Sequence, residues 1–279
     1  MVKIPLQQLA ARPTAALADR WLAALGAELA APAADRNIIC RDVLVALSFP
    51  DYAGRVDAAL ADESIPLATR VALSACDPRN VTLEPEYYGD CDQARFQPVK
   101  PLLWLWYSFD RLPIGGQNVE LGVKLRRLLA PYIFKQVGKN FKCFQHVEFS
   151  FGYNLEMGDD VVIHRHVLLD DRGGIKIGNK VSVSDYANIY SHTHSIVEQV
   201  DVTNATTVLH DGVRITYHAT VLAGVHVGEQ GMVGAVAVAT KDVRPYHVNV
   251  GIPAKSVRVK PNAPADAGDR LRTSTERQV

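Results

Sequence analysis

Residues 209–239 read LHDGVRITYHATVLAGVHVGEQGMVGAVAVA, and an apolar side chain returns at every sixth position of this stretch. The same spacing occurs upstream, with two breaks in register, one near residue 173 and one before residue 209. The residues that carry it are Phe151, Met157, Ile163, Leu169, Ile177, Val183, Ile189, Leu209, Ile215, Val221, Val227, Val233 and Ala239. An α-helix repeats every 3.6 residues and a half-buried strand every two, so neither explains a period of six.

A period of six is typical of a parallel β-helix with triangular coils, in which each short strand directs one side chain into a narrow interior. The fifth residue of most hexads is small or β-branched, as expected near a corner where bulk would meet the next coil. Thirteen hexads give a little over four coils, enough for stacking to bury a continuous core. We therefore predict a mainly β fold with the β-helix over residues 141–262.

The preceding residues, 1–140, have a helical apolar period instead. After Thr14, a predicted N-cap, one helical face carries Leu17, Trp21, Leu22, Leu25 and Leu29. Shorter helices are predicted near 40–48, 52–62 and 67–76, and a last helix over 123–138, kinked or broken near Pro131. Residues 77–118 are rich in Pro, Gly and aromatic residues and are expected to be irregular. The polar residues 263–279 are expected to form a flexible tail.

Composition excludes several classes of protein. Thirty basic and thirty acidic residues give no net charge and no basic patch, so nucleic acid is not an expected partner. The N-terminal stretch has no long apolar segment typical of a secretory signal. PLLWLWYSF, residues 101–109, is too short to span a bilayer and is expected to be buried. Four cysteines without a paired spacing favour reduced thiols in the cytoplasm over a disulfide framework or a thiolate zinc site.

The second register break inserts about fourteen residues, 195–208, directly after IYSHTH at residues 189–194. An insertion at a coil corner must project outward as a loop, and loops on a rigid scaffold often carry chemistry. His192 and His194 lie where this loop begins. Both are also compatible with ordinary solvated polar residues of a strand. His226 occupies the same hexad position one coil later, about one strand spacing from His194.

Several segments resemble the hexapeptide-repeat acyltransferases, whose β-helix is left-handed. The similarity covers roughly residues 130–262 and is strongest to the maltose, galactoside and exopolysaccharide O-acetyltransferases. It begins at IFKQVGKN and includes DDRGGIKIGNKVSVSDYANIYSHTHSI, VLAGVHVG, ATKDV and GIPAKSVRV. The chain departs from the family at Arg214-Ile215-Thr216, where Trp-Ile-Gly is frequent, and at Ala223, where proline is usual. The acceptor is therefore open.

The resemblance implies transfer of an acetyl group from acetyl-CoA to a hydroxyl group, usually of a sugar, with no metal ion. It implies that His194 is the general base and that Asp170 or Asp171 contacts the acceptor or the histidine. The residues that it assigns to the coenzyme are Tyr217, Ala235, Thr240, Lys241, Lys255 and Arg258. It also implies a homotrimer with the active site between subunits, and a helical N-terminal region that covers the acceptor side.

Two other functions are compatible with the same repeats. The γ-type carbonic anhydrases share this β-helix and bind zinc with histidines from adjacent coils, as the positions of His194 and His226 would allow. The G-x-P-A-K tail, which an anhydrase does not need, argues against this hypothesis. The third hypothesis is a non-catalytic scaffold that uses only the surface of the repeats.

Overall fold

The computed structural model of the protein describes residue 10 and residues 12–265. Within them, a helical region leads into a parallel β-helix, in the order that the sequence predicts. Most of the predicted C-terminal tail, residues 266–279, lies outside the described residues. No helix in the described part of the chain is both long and apolar enough to cross a membrane.

The helical region contains eight α-helices and three short 3₁₀-helices among the described residues. The α-helices are α1 (Ala15–Ala30), α2 (Arg36–Ser48), α3 (Val56–Ala61), α4 (Leu67–Ser74), α5 (Gln93–Phe96), α6 (Lys100–Arg111), α7 (Pro113–Gly116) and α8 (Val119–Ile133). The 3₁₀-helices are Pro50–Tyr52, Pro78–Asn80 and Glu84–Tyr87. Thr14 is the N-cap of α1, as predicted, but Leu17 is 55% exposed and does not belong to the buried face.

Helix α6 is the centre of this region, and the prediction of an irregular segment over residues 77–118 is wrong there. Pro101 occupies the first turn, where a proline lacks only a donor that would be unpaired anyway. The apolar stretch behind it is buried as expected, with Trp106 1% exposed. The last helix is also displaced from its prediction: α8 begins at Val119 and ends at Ile133, two residues after Pro131, and the chain then becomes extended.

Three sheets of parallel strands form the faces of the β-helix, and one antiparallel strand is added at the C-terminal edge of face B. Face A contains β1 (Gln136–Val137), β4 (Leu155–Met157), β7 (Ile175–Ile177), β12 (Thr207–Leu209) and β15 (His226–Val227). Face B contains β2 (Lys142–Cys143), β5 (Val162–Ile163), β8 (Ser182–Val183), β13 (Arg214–Ile215), β16 (Met232–Val233), β18 (His247–Val250) and β19 (Lys255–Val259). Face C contains β3 (Glu148–Phe149), β6 (Leu168–Asp170), β9 (Asn188–Tyr190), β14 (Thr220–Val221) and β17 (Val238–Ala239).

The hexad positions point inward, as the period predicts. Met157 pairs in register with Ile177, which pairs with Leu209, and all three are buried. The small residues at the fifth position are buried at the corners, among them Ala187 and Ala219. Each stacked strand therefore adds one apolar layer to a continuous core.

The β-helix has about six coils, more than the four counted from the hexads. The count is low because it begins at Phe151, which is buried but lies beyond the end of β3, and because it stops at Ala239, before β18. The inward residue of that strand is Phe149, paired with Leu169. Between Phe149 and Met157 the chain has two residues more than one hexad. The first coil is therefore out of register with a strict period of six.

One corner of the β-helix carries a column of stacked rings. His146, His166, Tyr186 and His218 each occupy the corner residue with positive φ, between 55° and 61°. Their ring centroids follow one another at 4.8, 4.7 and 4.8 Å. The column repeats because the parallel register places every corner directly above the one before it.

The helical region covers the first coil. The Tyr107 hydroxyl lies 3.1 Å from both the backbone nitrogen and the backbone oxygen of Phe149. Arg126 donates to the carbonyl oxygen of Cys143 at 3.1 Å and forms a buried ion pair with Asp110. The second oxygen of Asp110 accepts the backbone N–H of His146 at 2.7 Å. The helices thus supply partners for backbone groups that an uncovered first coil would expose to water.

The C-terminal segment covers the opposite end. Strand β19 pairs antiparallel with β18 and reverses the chain direction, which stops the stacking of parallel strands. Gly251 and Ala254 bind the backbone of Val238 in the last strand of face C. Both ends of the β-helix are therefore occupied by other parts of the same chain.

We expect Arg126→Ala to lower the free energy of unfolding by about 3–5 kcal/mol, because the change leaves the Asp110 carboxylate buried without its partner. Guanidinium denaturation measures this loss. The control is Lys124→Ala, which removes an exposed pair with Asp19 and Glu120 and should cost less than about 1 kcal/mol. Equal losses in the two variants would contradict a structural role for the buried pair.

Candidate active site

The inserted segment forms a β-hairpin. The chain leaves face C after Tyr190, and β10 (His192–His194) pairs antiparallel with β11 (Val202–Asn204) before the next strand of face A. His192 lies opposite Asn204 and His194 opposite Val202. The predicted insertion, 195–208, therefore begins four residues too late, and both histidines belong to the hairpin. Polar residues continue to alternate with Ile189 and Thr193 across the end of β9 and the start of β10. The sequence therefore does not show where the β-helix strand ends and the hairpin begins.

Ser191 anchors the base of the hairpin. It is fully buried, its hydroxyl donates to the carbonyl oxygen of Asp170 at 2.5 Å, and it accepts the backbone N–H of Gly173 at 2.8 Å. A Cβ at Gly173 would lie 2.2 Å from the carbonyl oxygen of Ser191. Only glycine therefore allows the preceding coil to approach the hairpin this closely.

A cleft of about 690 Å³ opens between the hairpin, face C and residues 84–89 of the helical region. The lining residues are Glu84, Pro85, Tyr87, Tyr88, Gly89, Glu148, Phe149, Ser150, Leu168, Asp170, Arg172, Tyr190, His192, His194, Gln199, Val200 and Val202. The cleft contains three tyrosines, three carboxylates and both histidines of IYSHTH. It is large enough for a small polar molecule.

Asp170 and His192 form a direct pair at the floor of the cleft. Nδ1 of His192 contacts Oδ2 of Asp170, and Oδ1 accepts the hydroxyl of Ser150 at 2.7 Å. The side chain of Asp170 is 4% exposed, whereas that of His192 is 18% exposed. A carboxylate can only accept here, so Nδ1 carries the proton, and Nε2 of the neutral ring can accept another.

His194 is oriented in a different way. Its Nδ1 lies 2.8 Å from the carbonyl oxygen of Gln199, across the turn of the hairpin. A carbonyl is also only an acceptor, so this contact again places the proton on Nδ1 and leaves Nε2 able to take a proton. The two rings lie nearly perpendicular, with centroids 5.2 Å apart. The hairpin thus presents two imidazoles of the same tautomer to one cleft.

The two candidate aspartates have different surroundings. Asp171 is fully buried and does not line the cleft. Its carboxylate accepts the backbone N–H of Phe151 at 2.6 Å and of Asn154 at 3.1 Å. Burial raises its pKa to about 6, although these N–H groups act in the opposite direction. Asp171 therefore links its own corner extension to the one that contains Phe151 and Asn154. Asp170 is the aspartate whose carboxylate contacts a histidine.

Asp90 joins the helical region to the hairpin. Its carboxylate accepts two hydrogen bonds from Arg172, at 3.0 and 2.9 Å, and one from Asn204 at 3.1 Å. The guanidinium of Arg172 also lies 4.4 Å from the ring centroid of Tyr88. Burial opposes ionisation of Asp90, but the hydrogen bonds from Arg172 and Asn204 outweigh it and hold its pKa below the usual range. This stabilisation is present at neutral pH and is lost as pH falls through the lowered pKa.

The six residues assigned to the coenzyme are exposed, and none lines the cleft. Tyr217 and Ala235 lie at the corner between faces B and C, and Lys255 and Arg258 lie on β19. Thr240 and Lys241 follow β17 at the corner between faces C and A. The hairpin leaves the β-helix at the same corner two coils earlier, after β9. One copy of the chain therefore spreads these residues over separate surfaces.

The expected stacking of His194 on His226 is wrong. His226 lies on β15, which pairs with β12 of face A, while the hairpin carries His194 away from the coils. The ring next to His226 is that of His210, with centroids 6.1 Å apart. In the part of the chain that the structure describes, no group of three or more His, Cys, Asp or Glu side chains is placed to hold a metal ion.

Sequence comparison identifies relatives of the β-helix. The galactoside O-acetyltransferase of Escherichia coli is 24% identical over 140 residues, which are 49% of this chain and 69% of that protein. No protein-family model matches the chain.

Solved structures show the same fold. A maltose O-acetyltransferase of Clostridium difficile has a TM-score of 0.54 at 23% identity, over 63% of this chain and 92% of that one. A hexapeptide-repeat acetyltransferase of Vibrio cholerae, solved with acetyl-CoA, also has a TM-score of 0.54, at 21% identity, over 67% of this chain and all of that one.

The comparisons show that the chain resembles the hexapeptide-repeat acyltransferase superfamily and has the left-handed β-helix of the solved structures of that superfamily. Within it, the relatives include galactoside and maltose O-acetyltransferases.

The sequence did not indicate several residues that line or support the cleft. Ser150 follows β3 and Tyr190 ends β9, and their places in the cleft depend on how neighbouring coils stack. Asp90 and the tyrosines at 87 and 88 come from the helical region, and Asp90 is 114 residues away from Asn204, its partner in the hairpin. A polar, tyrosine-rich segment is the only local feature that could have suggested them.

Asp90→Ala should loosen the hairpin, because it removes hydrogen bonds to both Arg172 and Asn204. We expect amide hydrogen exchange in residues 192–204 to accelerate by at least about 10-fold, the change that loss of a charged hydrogen bond would give. Asp185→Ala is the matched control, since it removes an aspartate–arginine pair with Arg165 at a corner away from the cleft. Unchanged exchange in the Asp90 variant would show that the hairpin is held by its base alone.

Proposed function

We propose that the protein is an acetyl-CoA-dependent O-acetyltransferase that acts on a hydroxyl group of a sugar or related small molecule. The observation that carries the proposal is the orientation of His194 in the cleft: a backbone carbonyl holds Nδ1–H and leaves Nε2 to accept a proton. The superfamily and the acetyl-CoA bound by the Vibrio cholerae relative support the donor. The names of the galactoside and maltose relatives support a sugar as the acceptor.

In the proposed reaction, the acceptor oxygen attacks the carbonyl carbon of the thioester, and its proton passes to Nε2 of His194. A C–O bond forms, the tetrahedral intermediate collapses, and the C–S bond breaks. The proton then passes from the imidazolium to the departing sulfur, which restores the neutral ring. No acyl-enzyme is needed, because a thioester is already activated and binding both substrates in one site lowers the entropic part of the barrier.

The coenzyme is assigned to Tyr217, Ala235, Thr240, Lys241, Lys255 and Arg258. Exposed backbone along the late coils suits the pantetheine arm, and the cations of Lys241, Lys255 and Arg258 suit its phosphates. Because these residues lie outside the cleft, we propose that a neighbouring subunit brings them to His194, and hence a homotrimer. Light scattering should then give the mass of three chains.

The proposed location is the cytoplasm. Its support is that Cys40, Cys76, Cys91 and Cys143 are all buried free thiols, as expected for a protein in a reducing compartment. The helical region is proposed to serve as the acceptor-side wall, because residues 84–89 form one side of the cleft.

His194→Ala should lower kcat by roughly 10²–10⁴-fold while acetyl-CoA binding changes little, because the imidazole acts on the proton of the acceptor. Thiol release from acetyl-CoA in the presence of a panel of hydroxyl and amine acceptors measures kcat, and calorimetry measures coenzyme binding. Full activity in the variant would exclude His194 as the base, and exclusive use of amines would exclude O-acetyl transfer.

Lys255→Ala and Arg258→Ala should raise the KM for acetyl-CoA and leave kcat nearly unchanged, as expected when a contact is equally strong in the ground state and transition state. The comparison is with acetyl-dephospho-CoA, which lacks one phosphate group. Lys139→Ala, an exposed lysine of the first coil, is the control. If both coenzymes respond identically to the two changes, these side chains do not contact that phosphate.

A further inference from the structure

Asp170 and His192 both line the cleft, but most of the Asp170 carboxylate is already occupied by protein groups. One carboxylate oxygen contacts Nδ1 of His192 and the other accepts the hydroxyl of Ser150. With a side chain only 4% exposed, Asp170 has little surface with which to reach a bound molecule. The imidazole of His192, at 18% exposed, has more surface in the same cleft.

The free nitrogen of His192 is an acceptor of hydrogen bonds. Its Nδ1 proton is directed to Asp170, so the lone pair of the neutral ring lies on Nε2. Among the described residues, no side chain or backbone group is hydrogen-bonded to Nε2. The nearest ring is that of His194, at 5.2 Å between centroids, and its Nε2 is the proposed proton acceptor of the reaction.

We infer that His192, rather than Asp170, binds the acceptor, by accepting a hydrogen bond from a second hydroxyl group beside the one that is acetylated. This inference rests on the proposed function. Asp170 acts through His192, as a positioning residue that fixes the tautomer. The acceptor is therefore a molecule with hydroxyl groups on neighbouring carbons, one directed to His194 and one to His192.

The charges around the cleft restrict the acceptor further. Arg172 is the guanidinium group among the lining residues, and Asp90 already accepts two of its hydrogen bonds. Glu84 and Glu148 bring two more carboxylates to the same cleft. A phosphate or carboxylate on the acceptor would meet these charges without a free cation among the described lining residues. The substrate class is thus a neutral polyol.

The test uses methyl glucoside, methyl galactoside, methyl mannoside and the monodeoxy derivatives of each, with acetyl-CoA as donor. For wild-type protein, removal of the hydroxyl that binds His192 should lower kcat/KM by about 10- to 100-fold, the effect of a hydrogen bond to a charge-assisted group. In His192→Ala, the parent glycoside should fall to the level of that deoxy derivative, and the deoxy derivative should fall no further. The KM for acetyl-CoA should stay the same. His226→Ala, exposed and outside the cleft, is the control.

The outcomes separate this inference from the proposed function. If His192→Ala lowers kcat/KM by one common factor for the parent and every deoxy derivative, His192 only supports the structure and the inference is wrong. Preference for a phosphorylated glycoside over its neutral parent would overturn the assigned substrate class. If wild-type protein releases no thiol with any acceptor, the proposed function fails and the inference fails with it. A loss of kcat/KM on the deoxy derivative that occurs in the wild-type protein but not in His192→Ala supports both the inference and the proposed function.

Discussion

The interior of the β-helix is narrow and accepts only one or two side chains from each short strand, and this limit on volume determines where the rest of the chain can lie. Residues that exceed the hexad cannot enter the core, so they must leave the coil at a corner. The short extensions at Gly152 and Gly174 turn at a corner of the coil, where each glycine has positive φ. The hairpin that follows β9 is the longest departure, and the cleft exists because it leans back over face C.

The fold was predictable because the sequence pattern that specifies it repeats in successive strands. Each of the strands β12 to β17 places a residue of the same type in the same environment, so the register of Leu209 to Ala239 follows from spacing alone. The first coil was missed because the two extra residues between Phe149 and Met157 interrupt the period. Helix α6 was missed for another reason: its aromatic residues and flanking prolines resemble an irregular segment, whereas its helical structure depends on burial against its neighbours.

The candidate site was predictable only in part. His194 stands in a motif that a single strand can display, and the resemblance identified it. The pair of His192 and Asp170 depends on how the hairpin folds over the previous coil, which no local pattern specifies. Adjacent residues of an extended segment point in opposite directions. Asp170 therefore points into the cleft and Asp171 into the corner, and the sequence does not show which of the two faces the cleft. Asp90 was not predictable because it lies in the helical region, which has no repeat.

The two covered ends have a consequence for how molecules of this protein meet. Parallel coils present unpaired N–H and C=O groups at both ends, and two such ends would join as readily as successive coils do, giving fibres of unlimited length. Here Tyr107, Arg126 and Arg127 bind the backbone of the first coil, and β19 reverses the last one. Growth along the axis is thereby terminated on each side, and only the lateral walls remain open for assembly of a closed and finite particle.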